Sequence, residues 1–456
     1  MKAKQVRTLT NQITEGVIWK QLLLFFFPIL FGTFFQQLYN TTDAVIVGNF
    51  VGKEALAAVG GPAAMIINLL VGFFVGLSSG AGVVISQFYG SGKREKLIRA
   101  VHTAIALSIV GGGIMMVLGI VSAEAALRAM QTPADILEQS VRYMHIYFFG
   151  MIPSMLYNMG SAILRAVGDS KRPLYFLMAS CLVNIVLDLF FVVVLRLGVA
   201  GVGIATALSQ VVSASMTLFV LLRTKENFRI VPKWVRMNRR MLITILTIGL
   251  PAGIQSAMYS ISNILIQSSI NSFGTDTVAA WTAYSKIDSV FWLILSAYGI
   301  SITTFAGQNF GAGKLDRVFK SVRVCLGMAA LTSVLFSLLV WYEGGFIAQL
   351  FTKDANVLQI CVGMMRAICP AYITYIFIEI LSGACRGCGD AFRPMVLTCL
   401  GICVLRILWI FIAVPLRHEI TTITFSYPLT WVVTSTLFII YYKRGKWINY
   451  YELGHR

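Results

Sequence analysis

Four oxygen-bearing side chains lie in long apolar segments of the sequence, where polar groups are rare and costly. Asp43 lies in the first of these segments, and Asp188 and Thr206 lie in the fifth and sixth. Asn184 precedes Asp188 by four residues, so a helix would present both side chains on one face. These residue types, carboxylate, amide and hydroxyl, are ligands for a proton or a hard monovalent cation.

Three of the four side chains are predicted to lie at one depth, with Asn184 one turn deeper. With the rise of an α-helix, Asp43, Asp188 and Thr206 would each lie roughly 9 to 13 Å below the same membrane surface. Two carboxylates buried close together cannot both stay charged unless a cation lies between them. The set therefore predicts a proton or sodium site. The alternative is a structural hydrogen-bond network that holds the helices together.

Helices that cross a bilayer must carry these residues. Apolar residues make up 57% of the chain and charged residues only 12%, about half the charged fraction of a soluble domain. Each of twelve apolar stretches is long enough to cross the hydrocarbon region as a helix. We therefore predict an all-α integral membrane protein. The stretches are 21–48, 60–88, 98–121, 139–164, 173–195, 200–222, 240–270, 277–307, 319–341, 356–385, 394–414 and 423–442.

The sequence contains an internal duplication. RAVGDSKRP at 165–173 matches RGCGDAFRP at 386–394 in five of nine positions, and the same offset of 221 pairs QFYGSGKREK with QNFGAGKLDR. A period this long is typical of a duplicated transporter half. We predict two pseudo-symmetric six-helix bundles that enter the membrane in the same orientation. Their limits are an N-lobe at 1–222, a cytoplasmic linker at 223–239 and a C-lobe at 240–456.

The net charge of +18 is distributed over separate loops. If the N-terminus is cytoplasmic, 28 of the 37 Lys and Arg residues fall on the cytoplasmic side. The positive-inside rule then predicts that both termini are cytoplasmic. Because no single groove collects these charges, the sequence argues against nucleic-acid binding.

The second copy lacks the predicted ion site. Near the start of each copy the offset is 223, as in the pair Pro28 and Pro251, and it places Ile266 at the position equivalent to Asp43. The offset of 221 places Trp409 at the position equivalent to Asp188. A cation site would therefore be single and belong to the N-terminal half.

Other ionisable residues occur inside the apolar segments of the second copy. They are Lys286, Asp288, Glu379 and Arg406. Two interpretations remain open, because buried ion pairs fit both. The residues could pair structurally, or they could line a cleft that meets the substrate.

The sequence shows no sign of catalysis or of a bound cofactor. It contains no nucleophile with a base at catalytic spacing, and its four His and eight Cys residues form no metal-ligand motif. We therefore predict neither an enzyme nor a resident cofactor. The one exception is a sodium ion or proton at the Asp43 and Asp188 site.

The sequence resembles the multidrug and toxic compound extrusion (MATE) transporters over essentially its whole length. GQNFGAGKLDR at 307–317 is the most specific matching segment. The other matching features are Pro28, Asp43, Gly48 and Gly52, ALAA at 55–58, GSGK at 90–93, the paired R-x-x-G-D segments and NIVLD at 184–188.

The resemblance implies twelve helices in two bundles and export of cationic or amphipathic compounds, driven by inward flow of protons or sodium. In one bacterial branch, the N-lobe cation site has an Asp in helix 1, an Asn and an Asp in helix 5 and a Thr in helix 6. Asp43, Asn184, Asp188 and Thr206 match these positions in turn. The segment PAGIQSAMYSISN in helix 7 lacks the acid on which another bacterial branch depends.

We therefore expect a secondary antiporter in the inner or plasma membrane of a bacterium, a monomer that works by alternating access. Its expected partners are small cationic or amphipathic drugs and the lipid bilayer. A flippase for a lipid-linked precursor is the alternative, and it would need a strongly basic cleft. Only Lys286 and Arg406 are available for such a cleft.

Overall fold

A computed structural model of the chain describes residues 13–445, 447 and 448. The first half of the described chain folds into eight α-helices, and a π-helical segment, Leu189–Val194, continues the seventh. The eight helices are α1 (Ile18–Phe50), α2 (Lys53–Gly60), α3 (Pro62–Gly90), α4 (Arg94–Ala129), α5 (Ala134–Phe149), α6 (Met151–Ala166), α7 (Lys171–Asp188) and α8 (Val199–Arg223).

The second half repeats this pattern after a short 3-10 turn at Pro232–Trp234. A second π-helical segment, Cys399–Val404, connects its sixth and seventh helices. The helices are α9 (Arg239–Asn271), α10 (Thr275–Gly311), α11 (Leu315–Gln349), α12 (Ala355–Ile368), α13 (Tyr372–Gly387), α14 (Phe392–Thr398), α15 (Leu405–Leu416) and α16 (Ile420–Lys443).

The predicted all-α membrane fold is confirmed. In the described part of the chain, eleven continuous helical stretches are long and apolar enough to cross a membrane. The remaining predicted span, 139–164, corresponds to α5 and α6, two 16-residue helices that meet at Gly150. The packing at Gly150 is tight, because a Cβ there would lie 3.0 Å from the Cα of Ala207 in α8.

Backbone contacts divide the chain into two compact units. The first unit includes Leu24–Gly253, and the second includes Gly16–Leu23 and the described residues from Ile254 onward. The predicted boundary at 223–239 falls before α9, whereas this division falls inside α9. The domain limits given by the sequence stay a prediction.

Close glycine packing explains why the start of α9 belongs to the first unit. A Cβ on Gly80 of α3 would lie 2.4 Å from the Cα of Gly249 in α9. A Cβ on Gly76 would lie 2.5 Å from the backbone nitrogen of Gly253. The two helices therefore pack backbone against backbone, which requires small residues on both faces.

Both chain termini lie outside the described residues, so their predicted cytoplasmic location stays a prediction. Within the described range, the basic segment between α8 and α9 lies against the start of α4. Its Val231 backbone N–H donates a hydrogen bond to His102 Nε2 at 3.0 Å.

Candidate functional site: a buried carboxylate pair in the first unit

Three helices bring the predicted ion-site residues together. Asp43 lies on α1, Asn184 and Asp188 lie on the last turns of α7, and Thr206 lies on α8. Asp188 is the last α-helical residue before the π-helical segment. Segments of this kind occur frequently at functional sites. All four side chains are buried, with Asp43 5% exposed and Asp188 fully enclosed.

The Asp43 carboxylate is the centre of the cluster. Thr206 Oγ1 donates a hydrogen bond to Asp43 Oδ2 at 3.3 Å. Asp188 and Asn184 lie close enough to the Asp43 carboxylate to act on it electrostatically. The four residues that the sequence singled out, 163 positions apart at the extremes, thus form one cluster inside the first unit.

Most polar atoms of this cluster have no hydrogen-bond partner in the protein. The unpartnered atoms are Asp43 Oδ1, both carboxylate oxygens of Asp188, and Oδ1 and Nδ2 of Asn184. Buried polar groups are almost always hydrogen-bonded, and leaving one unpaired costs about 1–3 kcal/mol. A shared proton or a small cation would satisfy the oxygens. These oxygen ligands therefore fit the predicted occupant.

A second layer of hydroxyl groups surrounds the cluster, and sequence reasoning missed it. Tyr39 lies one turn before Asp43 on α1, and its hydroxyl lies 3.0 Å from Ser209 Oγ. Ser209 Oγ donates to the Thr206 carbonyl at 2.8 Å, and Ser180 Oγ of α7 donates to the Ser209 carbonyl at 2.7 Å. This layer fixes the orientations of α1, α7 and α8.

A fourth helix adds aromatic residues. Tyr143 and Tyr147 of α5 are close enough to Asp43 for electrostatic interaction. Tyr39 and Ser209 could have been found from spacing, because each lies a single turn from another polar residue on its own helix. The α5 tyrosines carry no such signal in the sequence, since aromatic residues on an apolar helix are usually packing residues.

The second unit treats its half-buried carboxylate, Asp288, differently. Asp288 on α10 accepts hydrogen bonds from three aromatic side chains. Tyr284 donates to Oδ1 at 3.2 Å, and Tyr372 donates to the same oxygen. Trp292 Nε1 donates to Oδ2 at 2.7 Å. Both oxygens of Asp288 are therefore occupied by protein donors.

Arg406 on α15 is buried, with 4% of its surface exposed. Its Nη2 donates to Thr430 Oγ1 at 2.9 Å, and its guanidinium carbon lies 3.9 Å from the centre of the Tyr427 ring. Its charge acts on Asp288, yet no carboxylate of the described chain forms an ion pair with it. Cation–π stacking thus takes the place of the direct pairing that the sequence left open.

The other two candidate residues lie apart from this pair. Lys286 is exposed and forms no ion pair with the described residues. Glu379 on α13 is half-buried, and its Oε1 packs so closely on Gly299 of α10 that a Cβ there would lie 2.0 Å from it. The structure brings Asp288 and Arg406 near each other and does not unite all four.

The positions equivalent to the ion site are apolar or structural in the second unit. Ile266 is 1% exposed and packs in the core. Trp409 Nε1 donates to the Thr422 carbonyl at 2.9 Å, which connects α15 to α16. No second carboxylate pair can form at these positions.

A family comparison identifies the chain. The family model described as MatE matches residues 28–190 and 251–412, one match in each copy of the repeat. The chain belongs to the MatE family. This confirms the resemblance to the MATE transporters, whose members are membrane transporters and not enzymes.

Curated relatives of this MatE chain are similar to it over three quarters or more of their length. The probable multidrug resistance protein YoeA of Bacillus subtilis is 27% identical over 455 residues, covering 97% of each chain. YpnP of the same organism is 28% identical over 437 residues, covering 95% of this chain and 97% of YpnP. A protein described as an FAD transporter in Shewanella oneidensis is 23% identical over 356 residues. The match covers 76% of this chain and 77% of that protein.

Solved MATE structures share the fold of this chain. A crystal structure of MATE in the bent conformation superposes with a TM-score of 0.91 at 21% identity, covering 98% of this chain and 99% of the other. An outward-facing structure of a multidrug resistance MATE transporter superposes with a TM-score of 0.90 at the same identity and coverage. This MatE chain therefore has the two-bundle fold of twelve spans that the sequence predicted.

Proposed function

We propose that the protein is a secondary multidrug exporter that moves cationic or amphipathic compounds in exchange for protons or sodium ions. The observation that carries the proposal is the unsatisfied carboxylate pair, Asp43 and Asp188, enclosed in the first unit. A permanent network would satisfy its own atoms. An occupant that enters and leaves explains why these atoms lack protein partners.

The proposed roles follow from the ligand types. Asp43 and Asp188 share a proton or hold a monovalent cation, because two adjacent bare carboxylates repel each other. Thr206 and Asn184 supply neutral oxygens, and Thr206 also fixes the position of the Asp43 carboxylate. Such a site drives transport by alternating access only if its ion affinity differs between two conformations.

The proposed substrates rest on the relatives, several of which are described as probable multidrug resistance proteins. We also propose that the chain lies in a bacterial inner or plasma membrane. Both termini would be cytoplasmic, as the distribution of Lys and Arg predicts. A flippase for an anionic lipid-linked precursor is less well supported. Arg406 of the second unit is buried beside Asp288, whose negative charge offsets its own.

The deciding experiment measures drug export and ion coupling in everted membrane vesicles. We expect imposed proton or sodium gradients to drive accumulation of ethidium or a fluoroquinolone by the unmodified protein. Asp43→Asn and Asp188→Asn should each abolish gradient-driven transport and cellular drug resistance, because neither variant can balance the charge of an exchanged cation.

The matched control is Asp276→Asn, which neutralises an exposed acid in the first turn of α10. It should transport at the level of the unmodified protein. Membrane expression of all variants is measured in the same preparations. Full drug resistance in both Asp43→Asn and Asp188→Asn would contradict the proposed ion site, and transport by one ion gradient alone would identify the coupling ion.

A further inference from the structure

A cavity of about 420 Å³ lies where the segment between α8 and α9 crosses the start of α4. Polar and aromatic side chains from both elements line it, and no acidic residue is among them. They include Arg99, His102, Thr103, Trp234, Arg236 and Asn238. The ion site described above uses none of these residues.

His102 fixes one wall of the cavity. Its Nε2 accepts a hydrogen bond from the Val231 backbone N–H at 3.0 Å, and its Nδ1 lies 2.7 Å from the Ile98 carbonyl oxygen. A backbone N–H can only donate and a carbonyl can only accept. The ring is therefore neutral with its proton on Nδ1, and both ring nitrogens are used to hold the segment against α4.

Asn238 fixes the opposite wall. Its backbone N–H donates to Thr103 Oγ1 at 3.3 Å, and its side-chain oxygen accepts from the Met241 backbone N–H at 3.2 Å. The segment from Val231 to Asn238 is thus anchored to α4 at both ends. The cavity between the two anchors is a formed feature of the fold.

The cavity carries positive charge that the protein neutralises only weakly. Arg99 and Arg236 are both exposed. Arg236 forms no ion pair with any described residue. Arg99 lies 3.6 Å from Glu95, with side chains 60% and 87% exposed, and such a surface pair contributes little. Two guanidinium groups therefore remain available to an anion.

The position of the cavity matches the level of lipid headgroups. α4 begins at Arg94 and is long and apolar enough to span a membrane, so Arg99 lies roughly 8 Å from the start of a spanning helix. Trp234 is 55% exposed beside it. Tryptophan is enriched at the interface between membrane and water, where its ring is half apolar and half wet.

We propose that this cavity binds the phosphate group of an anionic phospholipid, held by Arg99 and Arg236 with Trp234 against the glycerol and upper acyl region. Guanidinium groups suit phosphate because their planar donors match two phosphate oxygens at once. The bound lipid would stabilise the connection between the two halves of the chain against α4. This inference does not depend on the identity of the coupling ion.

The test uses the purified full-length protein in neutral detergent, with Trp234 as the reporter. Phosphatidylglycerol or phosphatidylcholine, each brominated on the acyl chains, is added to the micelles, and quenching is compared with that of Trp234→Phe. Phosphatidylglycerol should quench the Trp234 signal at much lower mole fraction than phosphatidylcholine. Inorganic phosphate and glycerol phosphate, added as millimolar salts, should not compete.

The variant Arg99→Gln with Arg236→Gln should weaken phosphatidylglycerol binding roughly 30-fold, since each basic side chain near a membrane surface contributes about 1 kcal/mol. The matched control is Lys225→Gln with Lys233→Gln, which removes the same charge from exposed positions of the same segment and should bind within about twofold of the unmodified protein. If the double arginine variant aggregates, Arg236→Gln alone should weaken binding roughly fivefold.

Three outcomes would overturn the inference. Equal binding of phosphatidylglycerol and phosphatidylcholine would show that the cavity does not recognise a charged headgroup. Equal losses in the arginine and lysine variants would show a diffuse charge effect. Competition by inorganic phosphate or glycerol phosphate would show that the ligand is a soluble phosphate compound and not a lipid.

Discussion

The two units hold the carboxylates of their apolar helices in opposite circumstances. In the first unit, both oxygens of Asp188 and one of Asp43 have no protein partner. In the second unit, Asp288 accepts hydrogen bonds from three aromatic donors. An unsatisfied carboxylate pair is suited to an occupant that comes and goes, whereas a fully satisfied carboxylate is suited to a fixed structural role.

The contrast shows how a duplicated scaffold acquired two chemistries. The halves still share the order of their helices and a π-helical segment in the corresponding region. The segment follows Asp188 directly in the first half, while in the second half it ends two residues before Arg406. The polar residues therefore occupy different positions on equivalent helices of the two halves, and different side chains surround them.

The largest expected loss of stability comes from placing an acid at Ile266, the position in the second unit that is equivalent to Asp43. Ile266→Asp should destabilise the protein by about 4 kcal/mol, because the new carboxylate would be buried without a partner. Thermal unfolding of the purified protein in detergent measures this. Ile266→Val, which only shortens the side chain, should cost about 1 kcal/mol. A stable Ile266→Asp variant would show that the second unit can accept an ion site.

Removing the hydrogen-bonded carboxylate of Asp288 should cause the next largest loss of stability. Asp288→Ala leaves the donors Tyr284, Tyr372 and Trp292 without their acceptor, and we expect a loss of about 3 kcal/mol. Asp288→Asn keeps an accepting oxygen and should lose less. Unfolding of Asp276→Ala, at an exposed position, provides the reference. An unchanged melting temperature in Asp288→Ala would remove the structural role assigned to this residue.

A smaller effect is expected at the segment between the halves. His102→Ala removes the acceptor of the Val231 amide and should reduce hydrogen-exchange protection of that amide roughly fivefold, which corresponds to about 1 kcal/mol. Hydrogen exchange followed by mass spectrometry of peptides covering 228–240 measures it. His145→Ala, whose ring contacts Ile120 instead, should leave this peptide unaffected.

The smallest effect on stability is expected where the effect on transport is greatest. Asp188→Asn removes a buried carboxylate whose oxygens have no protein donors. The melting temperature should therefore stay the same or rise, because the unfavourable burial of charge beside Asp43 is relieved. A loss as large as that of Asp288→Ala would mean that both carboxylates are structural, and the comparison between the two units would fail.

The sequence determined the membrane fold, the duplication and the four candidate residues of the first unit. It could do so because apolar length sets the helices, and because an acid inside an apolar segment is rare enough to be noticed without any contact information. Spacing on one helix was also sufficient to pair Asn184 with Asp188.

Only the tertiary structure decided which buried groups are satisfied. Asp288 and Asp43 look alike in sequence, as single acids within apolar helices. Their difference depends on donors from other helices, such as Tyr372 on α13, which lies 84 positions from Asp288. Helix rotation and packing bring such donors into place, and side-chain packing between distant segments has no periodicity that a single sequence can display.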